Sequence, residues 1–412
     1  LPRSLSKFPE YDKAPDVDQL ETTEILVSHL TNFISHTNNL THFICHITAN
    51  FCSVFNLFTT LQEHSPVLQE LYFNAVLFVL PHTIDSLELK LDHKRSTMIS
   101  LRAVCLVISF RTRAPPPSGV DVSEFVDFTI RSCPSIVDLR LSFISAVGMV
   151  DPYPQFLLQG NWSKLSRLTL EGMGFYSDGL SKPQKSLIMR NFLSRHPTLR
   201  CLSLETNQIF KDSIAEGSLP NMQSFCLGFG MTTFDATLPV TAAANMRHFR
   251  GVANSSSLRA IKLMTRLQTC ILTKVPILDI SLASLLDALP VSVERISVDL
   301  PPAFLKYTIT ENWLDTMGSF RRLQHLTHIA HMFFFVNIEE PVDMDLMRQL
   351  GSILPGLLYV QAGIMSRWIR MQAIKEQNGE YALPSGTRID SDDWGDIFWA
   401  VETIRARKIT KL

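Results

Sequence analysis

The segment Leu323–Phe335, "LQHLTHIAHMFFF", carries three histidines, His325, His328 and His331, at a spacing that invites a metal site, because imidazole is the commonest metal ligand. In an extended chain His325 and His331 point to one side and His328 to the other, so three ligands do not converge. A second cluster, "HFICHITANFC", offers His42, Cys45, His46 and Cys52. If Phe43 and Cys45 point inward along a strand, His42 and His46 face the opposite way, and zinc is again disfavoured. The acidic run "DSDDWGD" places Asp390, Asp392 and Gly395 at positions one, three and six of a calcium loop. Trp394 then stands at position five and Val401 where a bidentate Glu is needed, so the loop fails. A helix start capped by Asp392 or Asp393, with Arg405, Arg407 and Lys408 toward its end, accounts for the same residues. The segment at Gly228 lacks the glycine pattern of a dinucleotide loop, and no GxxxxGK[ST], GxSxG or HExxH occurs. The expectation is a chain without a catalytic group, metal or cofactor.

The elements that would position any site follow from a recurring template, apolar-x-x-apolar-x-apolar. It fits Leu40/Phe43/Cys45, Leu68/Leu71/Phe73, Ile84/Leu87/Leu89, Ile136/Leu139/Leu141, Leu165/Leu168/Leu170 and Leu199/Leu202/Leu204. It continues through Met222/Phe225/Leu227, Leu267/Cys270/Leu272, Val293/Ile296/Val298, Leu323/Leu326/His328 and, more weakly, Leu357/Val360/Ala362, with a poor match at Met246/Phe249. Between these predicted strands the apolar residues change to helical spacing, as in Phe51, Val54, Phe58 and Leu61, or Leu346, Leu350 and Ile353. Briefer stripes occur at Val122, Phe125 and Val126 and at Leu282, Leu285, Leu286 and Leu289. A proline precedes the first apolar position by two residues at Pro66, Pro134, Pro197, Pro220 and Pro355. Proline ends a helix and drives its predecessor into an extended conformation, so these five mark the passage from helix to strand.

Template, helices and prolines together resemble the irregular leucine-rich-repeat proteins of the fungal F-box/leucine-rich-repeat kind, over about Leu40 to Met365. The resemblance implies an α/β fold: a curved leucine-rich-repeat solenoid with parallel strands on its concave face and helices on its convex face. It divides the chain into an N-terminal segment and capping helix (1–36, with Leu26, Leu30 and Phe33 as the helix stripe), the solenoid (37–365) and a C-terminal cap (366–412). The pattern departs from regular repeats in one respect: only Leu199 is followed eight residues later by Asn, at Asn207, so no continuous asparagine ladder runs through the chain. An F-box begins Leu-Pro-x-Glu in such families, whereas this chain begins Leu1-Pro2-Arg3-Ser4-Leu5 and continues into a proline-containing stretch without a helical stripe. The segment is not an F-box. The start "LPRSLSKFPE" has no Met and no signal segment, and a fragment lacking its own first part is expected.

Composition bounds the partners. The 412 residues include 46% hydrophobic residues and 26 Phe, ample for a long buried core, and 38 basic against 39 acidic side chains leave a net charge of −1. No global field draws the chain to nucleic acid or an anionic membrane. Apolar runs at Ala75–Leu80 and Ala103–Phe110 are far short of the ~20 residues of a spanning helix. Seven cysteines, an odd number with no CxxC pair, read as reduced thiols, which implies a cytoplasmic or nuclear location. The Asn-x-Ser/Thr triplets at Asn39, Asn161 and Asn254 read as incidental.

If the strands are parallel and in register, the residues between the leucines line the concave face. That places Asp138 and Arg167, then Tyr72, Arg140 and Ser203, then Glu171 and Glu205, as candidate partner-binding residues. Arg140, Arg167, Glu171 and Glu205 are expected to form a mixed-charge patch suited to a protein surface. The function implied is a non-catalytic scaffold for a protein partner, either the substrate-recognition part of an F-box-type ubiquitin-ligase adaptor or a free-standing assembly protein. Cullin-ligase subunits would be partners only where an F-box lies upstream.

Overall fold

The computed structural model describes residues 17–78, 97–111, 123–144, 152–174, 179–204, 209–210, 212–227, 238–273, 282–298, 318–333, 344–362 and 367–371. The candidate residue Glu205, the template match Ile84/Leu87/Leu89, Asn207, Gly228 and the acidic run after Ile389 lie outside them. The chain forms two compact units, Leu1–Pro152 and Tyr153–Leu412. Each is built as a leucine-rich-repeat solenoid, in which strands pair in chain order and helices lie between them.

The first unit contains α1 (Val17–Ser35), β1 (His42–Asn50), α2 (Phe51–His64), β2 (Glu70–Phe78), β3 (Ala103–Arg111), α3 (Ser123–Ser132) and β4 (Asp138–Ile144). Its four strands are parallel and in one register, which carries Phe43 onto Leu71, Val104 and Leu139. These residues and their alternate neighbours, Phe73, Leu106 and Leu141, are buried. The helices pack on that side: Phe58 of α2 meets Phe73 edge-on at 5.0 Å and Phe125 and Phe128 of α3 at 5.5 and 5.3 Å. A fully buried Phe contributes about 1.5–3 kcal/mol through burial, so this cluster is a principal source of cohesion in the unit.

The second unit contains α4 (Tyr153–Gln159), β5 (Arg167–Glu171), α5 (Lys182–Arg195), β6 (Cys201–Leu204), β7 (Ser224–Leu227), α6 (Val240–Ala244), β8 (His248–Val252) and α7 (Ser255–Leu263). It continues with β9 (Thr269–Thr273), α8 (Leu282–Ala288), β10 (Arg295–Val298), β11 (His328–Phe333), α9 (Met344–Ile353), β12 (Tyr359–Ala362) and β13 (Arg367–Arg370). Strands β5 to β12 are parallel, and β13 pairs antiparallel with β12.

One turn enters nearly every strand. The N–H groups of Leu68, Leu199, Met222 and Leu357 bond to the carbonyls of Ser65, His196, Leu219 and Leu354, with proline at the second turn position each time. Leu101, Leu165 and Leu267 close the same turn without proline. Beyond it, a single carbonyl accepts two N–H groups of the next repeat: Ser166 receives Arg200 and Cys201, Arg200 receives Gln223 and Ser224, and so on through Gln223, Arg247, Gln268, Glu294 and Thr327. Where regular repeats use an asparagine ladder, the residue before the first apolar position reaches back instead. Thr198 donates to the Leu165 carbonyl, Asn221 to Pro197, Asn245 to Pro220 and Ser292 to Leu267.

Several sequence expectations are corrected. The strand that pairs with β2 is β3, entered through Leu101/Val104/Leu106, a match hidden within a longer apolar run. The frame at Leu323 is three residues early: Leu326 closes the entry turn on Leu323, Ile329 pairs with Ile296, and His328 pairs with Arg295 on the opposite face. His328 therefore occupies no leucine slot, and His325 lies in the turn. The weak match at Met246/Phe249 is a full repeat whose third slot is Gly251, because a Cβ there would stand 2.8 Å from the buried Phe249 ring. Helix α1 packs against α2 and β1, and its buried apolar residues are Val27 and Ile34; of the expected stripe, Leu30 is half-buried while Leu26 and Phe33 are 60% and 61% exposed. Both stripes are apolar, so periodicity could not choose between them.

Candidate functional site

In the first unit, alternation turns every second strand residue away from the leucines. The first row across β1 to β4 is His42, Glu70, Ala103 and Asp138; the second is Ile44, Tyr72, Cys105 and Arg140; the third is His46, Asn74, Val107 and Ser142. His42 and Glu70 are within ion-pair distance, 3.5 Å apart. The His46 and Tyr72 rings lie 5.2 Å apart, diagonally across the rows. Ile44 stands between these pairs and is 46% exposed, whereas Cys105 is buried. The exposed chemistry is thus an aliphatic and an aromatic side chain flanked by imidazoles and a carboxylate, an arrangement suited to contact with a protein surface.

In the second unit, the strands are shorter, and the corresponding rows are longer and more polar. The first runs Arg167, Cys201, Ser224, His248, Thr269, Arg295, His328 and Tyr359, and the second from Thr169 through Ser203, Cys226, Arg250, Ile271 and Ser297 to Ala330. Ser203, Cys226 and Ser297 are buried even though they face away from the leucines. Cys226 lies between Ser203 and Arg250 and hydrogen bonds to both, and the Glu171 carboxylate acts on it electrostatically. Burial raises the thiol pKa, and the opposing pull of Arg250 and Ser203 is smaller, so Cys226 stays protonated and is a poor nucleophile. His248 has its pKa lowered to about 4, first by burial and then by the charges of Arg247 and Arg295. It is a neutral imidazole at physiological pH. His328 rests against Tyr359 at 5.3 Å, and its Nδ1 pairs with the Thr327 hydroxyl at 2.8 Å.

The structure puts six of the seven sequence-derived candidates on strand faces. Tyr72, Asp138 and Arg140 share the face of the first unit; Arg167, Glu171 and Ser203 share that of the second, with Arg167 and Glu171 at opposite ends of β5. Sequence reasoning turned His42 and His46 away from Phe43 and Cys45 but did not name them, or Ile44 between them, among the partner-binding candidates. It also missed Arg250, whose strand was read as a poor match. Among the described residues, no group of three or more His, Cys, Asp or Glu could hold a metal ion. Asn254, one of the triplet asparagines, uses its side chain to cap α7 through the Ser257 N–H at 2.8 Å. No described helix is long and apolar enough to cross a membrane.

No family model and no curated protein matches the sequence. Among solved structures, the chain is similar to one described as the crystal structure of the Rad7 and Elc1 complex in yeast. The identity is 14%, the coverage 83% of each chain and the TM-score 0.37.

Proposed function

We propose that this chain is a non-catalytic protein-interaction scaffold that holds its partner on the strand faces. The observation that carries the reading is the exposed row of the first unit, where Ile44 stands beside the His46–Tyr72 and His42–Glu70 pairs on nine-residue strands in one register. Parallel strands ~4.8 Å apart hold such side chains at fixed spacing, so binding needs no ordering of the backbone that carries them. Aromatic side chains at the centre of such surfaces dominate affinity.

The finer reading is the substrate-recognition part of an F-box-type ubiquitin-ligase adaptor acting in the cytoplasm or nucleus. Its support is the resemblance of the strand template and proline entries to fungal F-box/leucine-rich-repeat proteins. Capture from cell lysate by the wild-type chain, with mass-spectrometric identification, tests both levels. Ile44→Arg and Tyr72→Ala are each expected to weaken capture about tenfold or more with folding intact. Unchanged capture by both variants would sink the scaffold reading for this face. Cullin-ligase subunits among the captured proteins are the expected result for an adaptor; partners without them leave a free-standing assembly protein.

A further inference from the structure

Strand β1 opens the sheet of the first unit: β2 pairs along one of its edges, and among the described residues no strand pairs along the other. The Glu70 N–H donates to the Thr41 carbonyl, which sets the phase of the ladder. Phe43, Cys45 and Ile47 therefore turn their backbone groups to β2, and His42, Ile44 and Thr48 turn theirs to the open edge. The core is less closed there as well. Phe43, Cys45 and Ile47 are 7%, 9% and 8% exposed, whereas their partners Leu71, Phe73 and Ala75 on β2 are 2%, 0% and 0%. Helix α1 stands at the same end: α2 meets α3 through Phe55, Phe58 and Phe125, and α1 packs against α2 and β1. Seen from the start of α1, Leu26, Leu30 and Phe33 lie about a quarter turn anticlockwise of the buried Val27 and Ile34. With the right-handed crossover of parallel units, that direction is the underside of α1, beside the open edge of β1. The first layer of the unit thus has a helix and an apolar underside, but no strand below it.

We propose that the slot between α1 and the open edge of β1 takes an extended segment of a partner protein as an added strand, with apolar side chains at alternate positions. The proposal rests on the scaffold reading and names the form of one partner. Main-chain hydrogen bonds to Ile44 and its neighbours would hold the segment, and alternate side chains would turn up to Leu26, Leu30 and Phe33. The side chains between them would turn to the row of Ile44, where polar groups are tolerated. The nine residues of β1 and the nineteen of α1 each run about 30 Å, the reach of an extended segment of about nine residues. The other end of the sheet is closed in this way by the chain itself. There β13 pairs antiparallel with β12, and Val360, which holds the slot that Phe43 holds in β1, is 0% exposed. A second copy of this chain does not fit the slot. Its β1 would bring its own α1 above the new strand, and packed helices need about 8–10 Å where strands need ~4.8 Å, so that helix would fall on the α1 and α2 already present.

The test uses the full chain and a fluorescein-labelled peptide of about nine residues, Val alternating with Thr between terminal lysines. Binding is expected to be saturable and to slow hydrogen exchange at the Ile44 and Thr48 amides. Of two peptides N-methylated at alternate residues in opposite phase, one is expected to lose binding and the other to keep it, because only one phase faces β1. The Leu26→Asp, Phe33→Asp double variant, changed only at exposed positions, is expected to lose about tenfold or more in affinity. Ile44→Pro, which removes an N–H that the β1–β2 ladder does not use, is expected to do the same, and Ile44→Val to bind as the wild type does. No saturable binding, equal binding of both methylated peptides, or unchanged affinity in the α1 double variant overturns the proposal. A chain that is dimeric by light scattering and becomes monomeric in that double variant overturns it too, by giving the slot to a second copy. If Tyr72→Ala weakens lysate capture while the peptide does not bind, strand addition fails and the scaffold reading stands. If the peptide binds as expected while lysate capture is insensitive to Ile44→Arg and Tyr72→Ala, the strand face fails and the slot remains.

Discussion

His196 and Trp162, 34 residues apart, are joined across adjacent repeats: the Trp162 N–H donates to Nε2 of His196 at 3.1 Å. An N–H donor requires that nitrogen to be bare, so the proton sits on Nδ1, which donates to the Phe192 carbonyl at 2.8 Å. The ring is fully buried against Phe192, 4.4 Å away, and Trp162. It thereby ties the end of α5 to the entry turn of the preceding repeat. His196→Ala removes both bonds and leaves a buried N–H, a carbonyl and a void, for which about 2–4 kcal/mol is expected. Urea unfolding checks it; a loss under about 1 kcal/mol would mean that water or a rearranged turn replaces the ring. His196→Gln, which keeps a polar end, is expected to lose less than Ala.

Acid should loosen the second unit through two imidazoles. Burial lowers the pKa of His196, with Arg195 adding to the effect and the Phe192 hydrogen bond opposing it; His248 falls to about 4 through burial, Arg247 and Arg295. Both bind a proton more readily in the unfolded chain, so their contribution is complete above the unfolded imidazole pKa of about 6.5. It is lost as pH falls, for His248 down to about 4. The urea midpoint is expected to drop between about pH 7.5 and 4.5, and to drop less in a His196→Gln, His248→Gln double variant. Parallel pH profiles for the two proteins would exclude these residues as the source.

Most of the repeat frame is legible in the residues themselves, because a leucine slot and a proline entry are local signals. Pro197 and Leu199 announce their turn without help from any neighbour. Failures occur where two signals overlap or where a neighbour decides. Leu101/Val104/Leu106 is masked by Ile108 and Phe110, which extend the same alternation, and Leu323 imitates a first slot because it starts the turn that Leu326 closes. In α1 the choice between Val27 and Leu26 belongs to α2. The candidate site follows the same division. Strand alternation placed Tyr72, Asp138, Arg140, Arg167, Glu171 and Ser203 on the faces away from the leucines. That Ser203 and Cys226 are buried there, and that Arg250 lies beside Cys226, depends on which strands sit side by side.

A comparison of two glycines separates packing from chain entropy. A Cβ on Gly160 would meet the Phe156 carbonyl oxygen and the Trp162 ring, each at 2.7 Å. Neither can yield easily: the oxygen accepts the Gly160 N–H at 2.8 Å, and Phe156 and Trp162 are both buried, with ring centroids 5.5 Å apart. Arg195 also donates to the Gly160 carbonyl, at 3.3 Å, and to that of Leu157, so the end of α4 is held from two sides. Gly160→Ala is therefore expected to cost about 1–3 kcal/mol as overpacking. Gly318 is exposed, has no positive φ, and would meet nothing within 4 Å. Gly318→Ala should be neutral or stabilising by about 0.4–1 kcal/mol, through the reduced freedom of the unfolded chain. Urea titration of both variants beside the wild type gives the measurement. Equal stabilities for the two alanine variants would show that the Phe156–Trp162 corner relaxes around the methyl group instead of resisting it.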